Sequence, residues 1–132
     1  MSKITLAGCA IVENSCILLL HRSKRNWYEL PGGKVDAGES PQEAAVRELK
    51  EELRCDVTIL RQIGDKDFTE AGSTLNYVWF LAAIKEGQRP VVGEPDTFSH
   101  FKYVPLNKLS EYPLSPNMKN LAEEIKNRVI LF

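Results

Sequence analysis

Glu39-Ser40-Pro41-Gln42-Glu43-Ala44-Ala45-Val46-Arg47-Glu48-Leu49-Lys50-Glu51-Glu52-Leu53-Arg54-Cys55 is the stretch on which the fold reading turns. Ser40 is placed to cap a helix, Pro41 to occupy its first position, and Glu43 to complete a Ser-x-x-Glu capping box. At 100° per residue Ala45, Val46, Leu49 and Leu53 share one apolar arc. The spacing therefore predicts an amphipathic helix over residues 40–54. Beside that arc, Glu48, Glu51 and Glu52 fall three and four residues apart and share one face. Like charges so placed oppose each other by a few tenths of a kcal/mol per pair on an isolated helix. They repel more strongly where the face borders a core. Arg47 and Lys50 can relieve this on a solvated surface. A divalent cation relieves it too, since Mg²⁺ takes oxygen ligands and shares carboxylates with substrate phosphates.

Outward from this helix the chain is rich in strand-like runs. Residues 4–12 and 16–21 read as a buried hairpin around Glu13-Asn14-Ser15. Residues 27–30 are extended and enter the turn Pro31-Gly32-Gly33, followed by a polar loop over residues 34–39. Residues 55–68 and 74–84 are strands joined at Ala71-Gly72-Ser73. Residues 87–96 form a loop, residues 98–104 a strand, and residues 106–111 a helical turn. Residues 117–129 form a second helix, with Leu121, Ile125 and Val129 in register. Strands mixed with two helices point to a layered α/β or α+β domain.

The whole composition sets the frame. In 132 residues, 27% are charged and the formal net charge is −1, which fits one domain over residues 1–132 and argues against a nucleic-acid polymer as partner. No run of apolar residues is long enough for a membrane helix. Three cysteines without CxxC spacing make a poor disulfide or zinc framework. Leu6-Ala7-Gly8-Cys9 superficially resembles a lipoprotein cleavage box, but five preceding residues are too few for its apolar segment. A cytoplasmic protein is expected, and a homodimer is compatible with the sequence.

Gly33, then five residues, Glu39, seven residues, and Arg47-Glu48-Leu49-Lys50-Glu51-Glu52 resemble the Nudix box, Gly-x5-Glu-x7-Arg-Glu-aliphatic-x-Glu-Glu-x-Gly-aliphatic. Residues 33–55 cover the box, and six of its seven fixed non-aliphatic positions match. Arg54 stands at the family's final glycine and Cys55 at its final aliphatic position. That glycine serves as a left-handed helix stop, so Arg54 must adopt a positive φ or end the helix differently.

The resemblance implies an α/β/α sandwich around a mixed sheet, and Mg²⁺- or Mn²⁺-dependent hydrolysis of a nucleoside diphosphate linked to another group. It implies metal ligation by the carbonyl of Gly32 and the carboxylates of Glu48, Glu51 and Glu52. Arg47 would orient the glutamates, and Gly33 and Glu39 would be structural. Gly93-Glu94-Pro95 is similar to a loop of MutT-like members whose glutamate is a further ligand or base. The general base is thus one of Glu51, Glu52 and Glu94.

The likeness to MutT-like members also suggests substrate contacts. Arg22 would lie near the phosphates, and Lys34 would add electrostatic attraction. Asn117 would contact a nucleobase or, alternatively, cap the second helix. Leu30 replaces an aromatic residue that packs on the base. Trp27, Tyr28, Tyr77, Trp79 and Phe80 serve either as a stacking platform or as core. The expected substrate is a nucleoside triphosphate, oxidised or not, cleaved to a monophosphate and pyrophosphate. ADP-ribose and dinucleoside polyphosphates are the alternatives, the first opposed by Ala71, which replaces a proline of ADP-ribose members, and the second by Gly72 and Ser73, which stand where dinucleoside polyphosphate members carry a tyrosine. A non-catalytic nucleotide sensor is the reading from another class, opposed by the intact set of box glutamates.

Overall fold

Residues 3–132 are described by a computed structural model. Strands β1 (Ile4–Glu13) and β2 (Cys16–Arg22) form the expected hairpin, closed by Asn14 and Ser15 at φ of 51° and 62°. Two successive positive φ angles are the turn geometry that matches strand twist. β5 (Val57–Glu70) and β6 (Ser73–Ile84) are joined the same way through Ala71 and Gly72. β1 lies parallel to β6 over eight residue pairs, from Ile4 opposite Leu75 to Ile11 opposite Ala82. β3 (Trp27–Glu29) and β7 (Phe98–Pro105) flank β2 antiparallel. The result is a mixed seven-stranded sheet.

The two-residue period of the strands divides the core between two layers. Cys9 and Ile11 of β1, Leu18 and Leu20 of β2, and Val78 and Phe80 of β6 face helix α1 (Pro41–Leu53) through Ala44, Ala45, Leu49 and Leu53. Ala10, Ile17, Leu19 and Trp79 face the other way, onto Leu109 of a 3₁₀ helix and Met118 and Leu121 of helix α2 (Pro116–Lys126). This is the α/β/α sandwich that the resemblance to the Nudix box implies.

Three local expectations are corrected. Gly32–Lys34 is a strand, β4, rather than turn and loop; it pairs antiparallel with β1, Gly8 opposite Gly32 and Leu6 opposite Lys34. Without it the β1 edge would leave backbone groups unpaired. α2 is capped by Ser115, whose Oγ accepts from Met118 N at 3.2 Å, so Asn117 is not the cap. The same helix ends at Lys126, because Arg128 turns to φ 59°. Val129 is therefore exposed, and Ile130 takes the core position.

α1 begins with the full capping box: Glu43 N donates to Ser40 Oγ at 3.1 Å, and Ser40 N donates to Glu43 Oε1 at 2.9 Å. It ends at Arg54, which does adopt the left-handed conformation, φ 57° and ψ 33°, with its N–H on the Lys50 carbonyl. The 87–96 loop then docks on this helix end. Val91 N donates to Leu53 O at 2.9 Å and Gly93 N to Glu52 O at 2.8 Å, satisfying carbonyls left open by helix termination. Gly93 is required there, because a Cβ would strike the Glu51 carbonyl.

A left-handed non-glycine residue costs about 1 kcal/mol, and more with a β-branched side chain. Arg54→Gly should therefore be at least as stable as the parent in urea unfolding, whereas Arg54→Val should lose about 1–2 kcal/mol.

Candidate active site

Arg47 is the hub of the acidic helix. Its Nε and Nη2 form a fork on Glu39 at 2.7 and 2.9 Å. Nη1 reaches Glu48 at 3.1 Å and Glu51 at 3.3 Å, and Nη2 also donates to the Lys34 carbonyl at 3.1 Å. One guanidinium thus contacts three box glutamates, offsetting one of their three charges, and ties β4 to α1. The fork holds the Glu39 carboxyl down at about 2, helped by a hydrogen bond from the Asp36 amide. The carboxylates raise the Arg47 affinity for its proton in return.

Glu52 lies outside this arrangement. It is 4% exposed, and Oε1 accepts from Gly32 N at 2.8 Å. Among the described residues no cation pairs with it. Burial, and secondarily the neighbouring Glu48, push its carboxyl well above the ordinary range. Glu48 is pushed up by burial too, against the pull of Arg47.

β4 brings the glutamates to a cavity. A Cβ on Gly33 would lie 2.6 Å from the Glu48 carboxyl carbon, so only glycine admits this approach. The phenol of Tyr77 occupies the space where side chains on Gly8 and Gly32 would sit. Tyr77 Oη is a buried polar atom with no hydrogen-bond partner. Gly32 and Gly33 also line a cavity of about 310 Å³, whose walls include Arg22, Trp27, Glu29, Leu30, Tyr77 and Asn117.

The sequence-derived candidates therefore separate. Gly32, Gly33, Glu39, Arg47, Glu48, Glu51 and Glu52 meet at the β4–α1 contact. Glu94 is exposed on the loop docked at the helix end, near enough to oppose ionisation of Glu48 and Glu52. Leu30, Arg22 and Asn117 line the cavity. Lys34 is exposed, and its carbonyl is the atom shown in the network. Of the five aromatics, Trp79 and Phe80 are core. Tyr28 turns away to His100, with Oη–Nε2 at 2.9 Å.

Sequence reasoning missed Glu29. Its carboxylate accepts Nε and Nη2 of Arg22 at 2.6 and 3.0 Å, and the Trp27 indole N–H at 2.9 Å. Period-two alternation over Trp27-Tyr28-Glu29 was the available signal, since it puts Trp27 and Glu29 on one face.

The donor set is oxygen only, which suits a hard divalent cation. The extended backbone at Gly32, whose N–H points to Glu52, turns its C=O toward the same edge. Among the described residues no three acidic, histidine or cysteine side chains already form a metal-ligating cluster. Arg47 holds two of the glutamates instead.

A NUDIX domain model matches residues 3–125. The chain belongs to the Nudix hydrolase family. This Nudix chain is 32% identical over 115 residues to a putative 8-oxo-dGTP diphosphatase of Bacillus subtilis, an alignment spanning 87% of the chain and 74% of that protein. It is 32% identical over 111 residues to an ADP-ribose pyrophosphatase of Saccharomyces cerevisiae, spanning 74% of the chain and 48% of that protein. It superposes on the crystal structure of a MutT Nudix hydrolase from Burkholderia pseudomallei with a TM-score of 0.84 and 28% identity, covering 95% and 99% of the two chains. No helix among the described residues is long and apolar enough to cross a membrane.

Two pH dependences follow with opposite sign. The lowered Glu39 carboxyl stabilises the fold above about pH 4.3 and loses that contribution as pH falls toward 2. The thermal stability gap between parent and Glu39→Gln should therefore narrow over that interval. Glu52 is raised, so in metal-free buffer its ionisation opposes folding as pH rises above about 4.3. Glu52→Gln should melt higher than the parent at pH 7, and this advantage should vanish below pH 4.

Proposed function

We propose that this Nudix hydrolase cleaves a nucleoside triphosphate, plain or oxidised, to a nucleoside monophosphate and pyrophosphate. The observation that carries the reading is that one short strand, β4, forms both a wall of the cavity and the floor of the glutamate cluster. A nucleotide laid across Gly32 and Gly33 has its base between Leu30, Trp27 and Asn117 and its phosphates beside Glu48 and Glu52. The B. subtilis and B. pseudomallei relatives support the MutT-like assignment.

The Gly32 carbonyl, Glu48, Glu51, Glu52 and Glu94 would hold Mg²⁺ or Mn²⁺. When bound, the cation neutralises pyrophosphate charge and acidifies the attacking water. Arg47 releases Glu48 and Glu51 to this role while keeping its fork on Glu39. Glu52, buried and unpaired, takes the proton from the attacking water. Arg22 remains held by Glu29 through Nε and Nη2, which leaves Nη1 to donate to the phosphates. Three free cysteines suit the reducing cytoplasm.

ADP-ribose is the second reading, favoured by the S. cerevisiae relative. Chromatography of the products formed with Mg²⁺ from nucleoside triphosphates (monophosphate and pyrophosphate), ADP-ribose (AMP and ribose 5-phosphate) and dinucleoside polyphosphates (two mononucleotides) separates the readings. Pyrophosphate from a triphosphate is expected; turnover confined to ADP-ribose overturns the first reading. Glu52→Gln should lower kcat roughly 10²–10⁴-fold with the fold intact. Glu94→Gln should give a smaller loss. A near-parental rate in Glu52→Gln contradicts the base assignment.

A further inference from the structure

The loop that brings Glu94 to the site is held by the last turn of α1, and the grip centres on Gly93. Its N–H donates to the Glu52 carbonyl at 2.8 Å, and a Cβ there would strike the Glu51 carbonyl. The same Cβ would lie 3.1 Å from Cγ and 3.2 Å from Nε of Arg54. The Arg54 side chain therefore runs along the Gly93 backbone, and its Nη2 donates to the Gly93 carbonyl at 3.4 Å. Both polar groups of one loop residue are thus taken by the helix end, one by a backbone carbonyl and one by a side chain.

Glu94 is the next residue. Its carbonyl accepts from Thr97 N and Phe98 N, each at 3.0 Å, so on one side it is anchored to the start of β7. On the other side it depends on Gly93. Its carboxylate opposes charge on Glu48 and Glu52, and without a cation that repulsion works to part the loop from the helix. A glycine at position 54, which the Nudix box carries, would end the helix equally well and offer the loop no side chain. Arginine is disfavoured there by its φ of 57°. One long, exposed hydrogen bond does not offset that in the stability of the whole fold. Its effect is local, at the junction it spans.

We infer that Arg54 is a positioning residue that straps the Glu94 loop to the end of α1, a role this chain adds to the box by departing from glycine. Some stability is given up at the helix end, and a fixed place for Glu94 is gained. The strap itself is a matter of contacts; only what Glu94 does once placed rests on the proposed function.

Amide hydrogen exchange of the metal-free protein, resolved by NMR, tests the strap. Arg54→Gly removes the side chain and relieves the left-handed strain. Arg54→Ala removes the side chain and keeps the strain. Both should speed exchange at Val91 and Gly93 roughly three- to tenfold, although the glycine variant unfolds at no lower urea concentration than the parent. Arg54→Lys keeps the stem and a donor, and should restore most of the protection. Parental exchange in either Arg54→Gly or Arg54→Ala overturns the inference, as does faster exchange that merely follows a fall in global stability.

Mn²⁺ titration, followed by the paramagnetic resonance signal of the free ion, then reads Glu94 without requiring turnover. Affinity should fall about tenfold in Glu94→Gln and by less in Arg54→Gly. Combining the two should give no more than Glu94→Gln alone, because the strap acts through Glu94. A further fall in the combined variant, or parental affinity in Arg54→Gly beside a fall in Glu94→Gln, overturns the placement of Glu94 by Arg54. Faster loop exchange with parental affinity in both single variants keeps the strap and rejects Glu94 as a ligand.

Discussion

The site rests on one guanidinium. α1 places three glutamates on a face that is partly withdrawn from water, and such a helix would repel itself and its own loop. Arg47, emerging from the same turn as Glu48, reaches Glu39, Glu48 and Glu51 together and also binds the β4 backbone. An arginine is needed because a planar fork can serve several acceptors in fixed directions; a lysine offers one point of charge. The contact does two things at once. It makes the acidic face tolerable without a cation, and it sets the distance between the glycine strand and the helix.

The glycines convert that distance into a site. At Gly33 the Glu48 carboxylate takes the place of a side chain, and at Gly8 and Gly32 the Tyr77 phenol does so. Strand and helix thus approach to within a carboxylate's width. Glu52 is the residue that bears the cost. It is buried without a cation and held by one backbone N–H, which is a destabilised arrangement in a fold otherwise satisfied by apolar packing. Strain of this kind is tolerated where it prepares a group to react.

The helix, its cap, the acidic face and the buried hairpin were legible because each has a local signature, a capping box, a 3.6-residue period or an apolar run around a turn, whereas the layer order came from the likeness to the Nudix box. β4 was not legible, because Gly32-Gly33 has turn composition and its extended shape is imposed by the β1 edge. The end of α2 was misjudged because Val129 continues the helical period on paper, whereas the chain turns at Arg128 and Ile130 fills the core. The role of Asn117 was half legible. Its amide suggests either a cap or a base contact, but only the fold reveals Ser115 at the cap and Trp79 behind the amide oxygen. Glu29 was hidden because the two-residue period sets it beside Trp27 on one face of β3 but does not say that Arg22, on the neighbouring β2, reaches that face.

The parallel pairing of β1 with β6 has a consequence in time. Its partners are about seventy positions apart, and the whole carboxylate helix lies between them in the chain. During synthesis β1 can close on β2 at once, but its other edge stays unpaired until β6 has emerged. Closing so long a loop is entropically costly and is repaid only when both layers pack. The glutamates, Arg47 and β4 all lie within residues 32–52, so they can meet well before β6 is made. What waits for β6 is the sheet behind them, together with Glu94, which follows β6 in the chain.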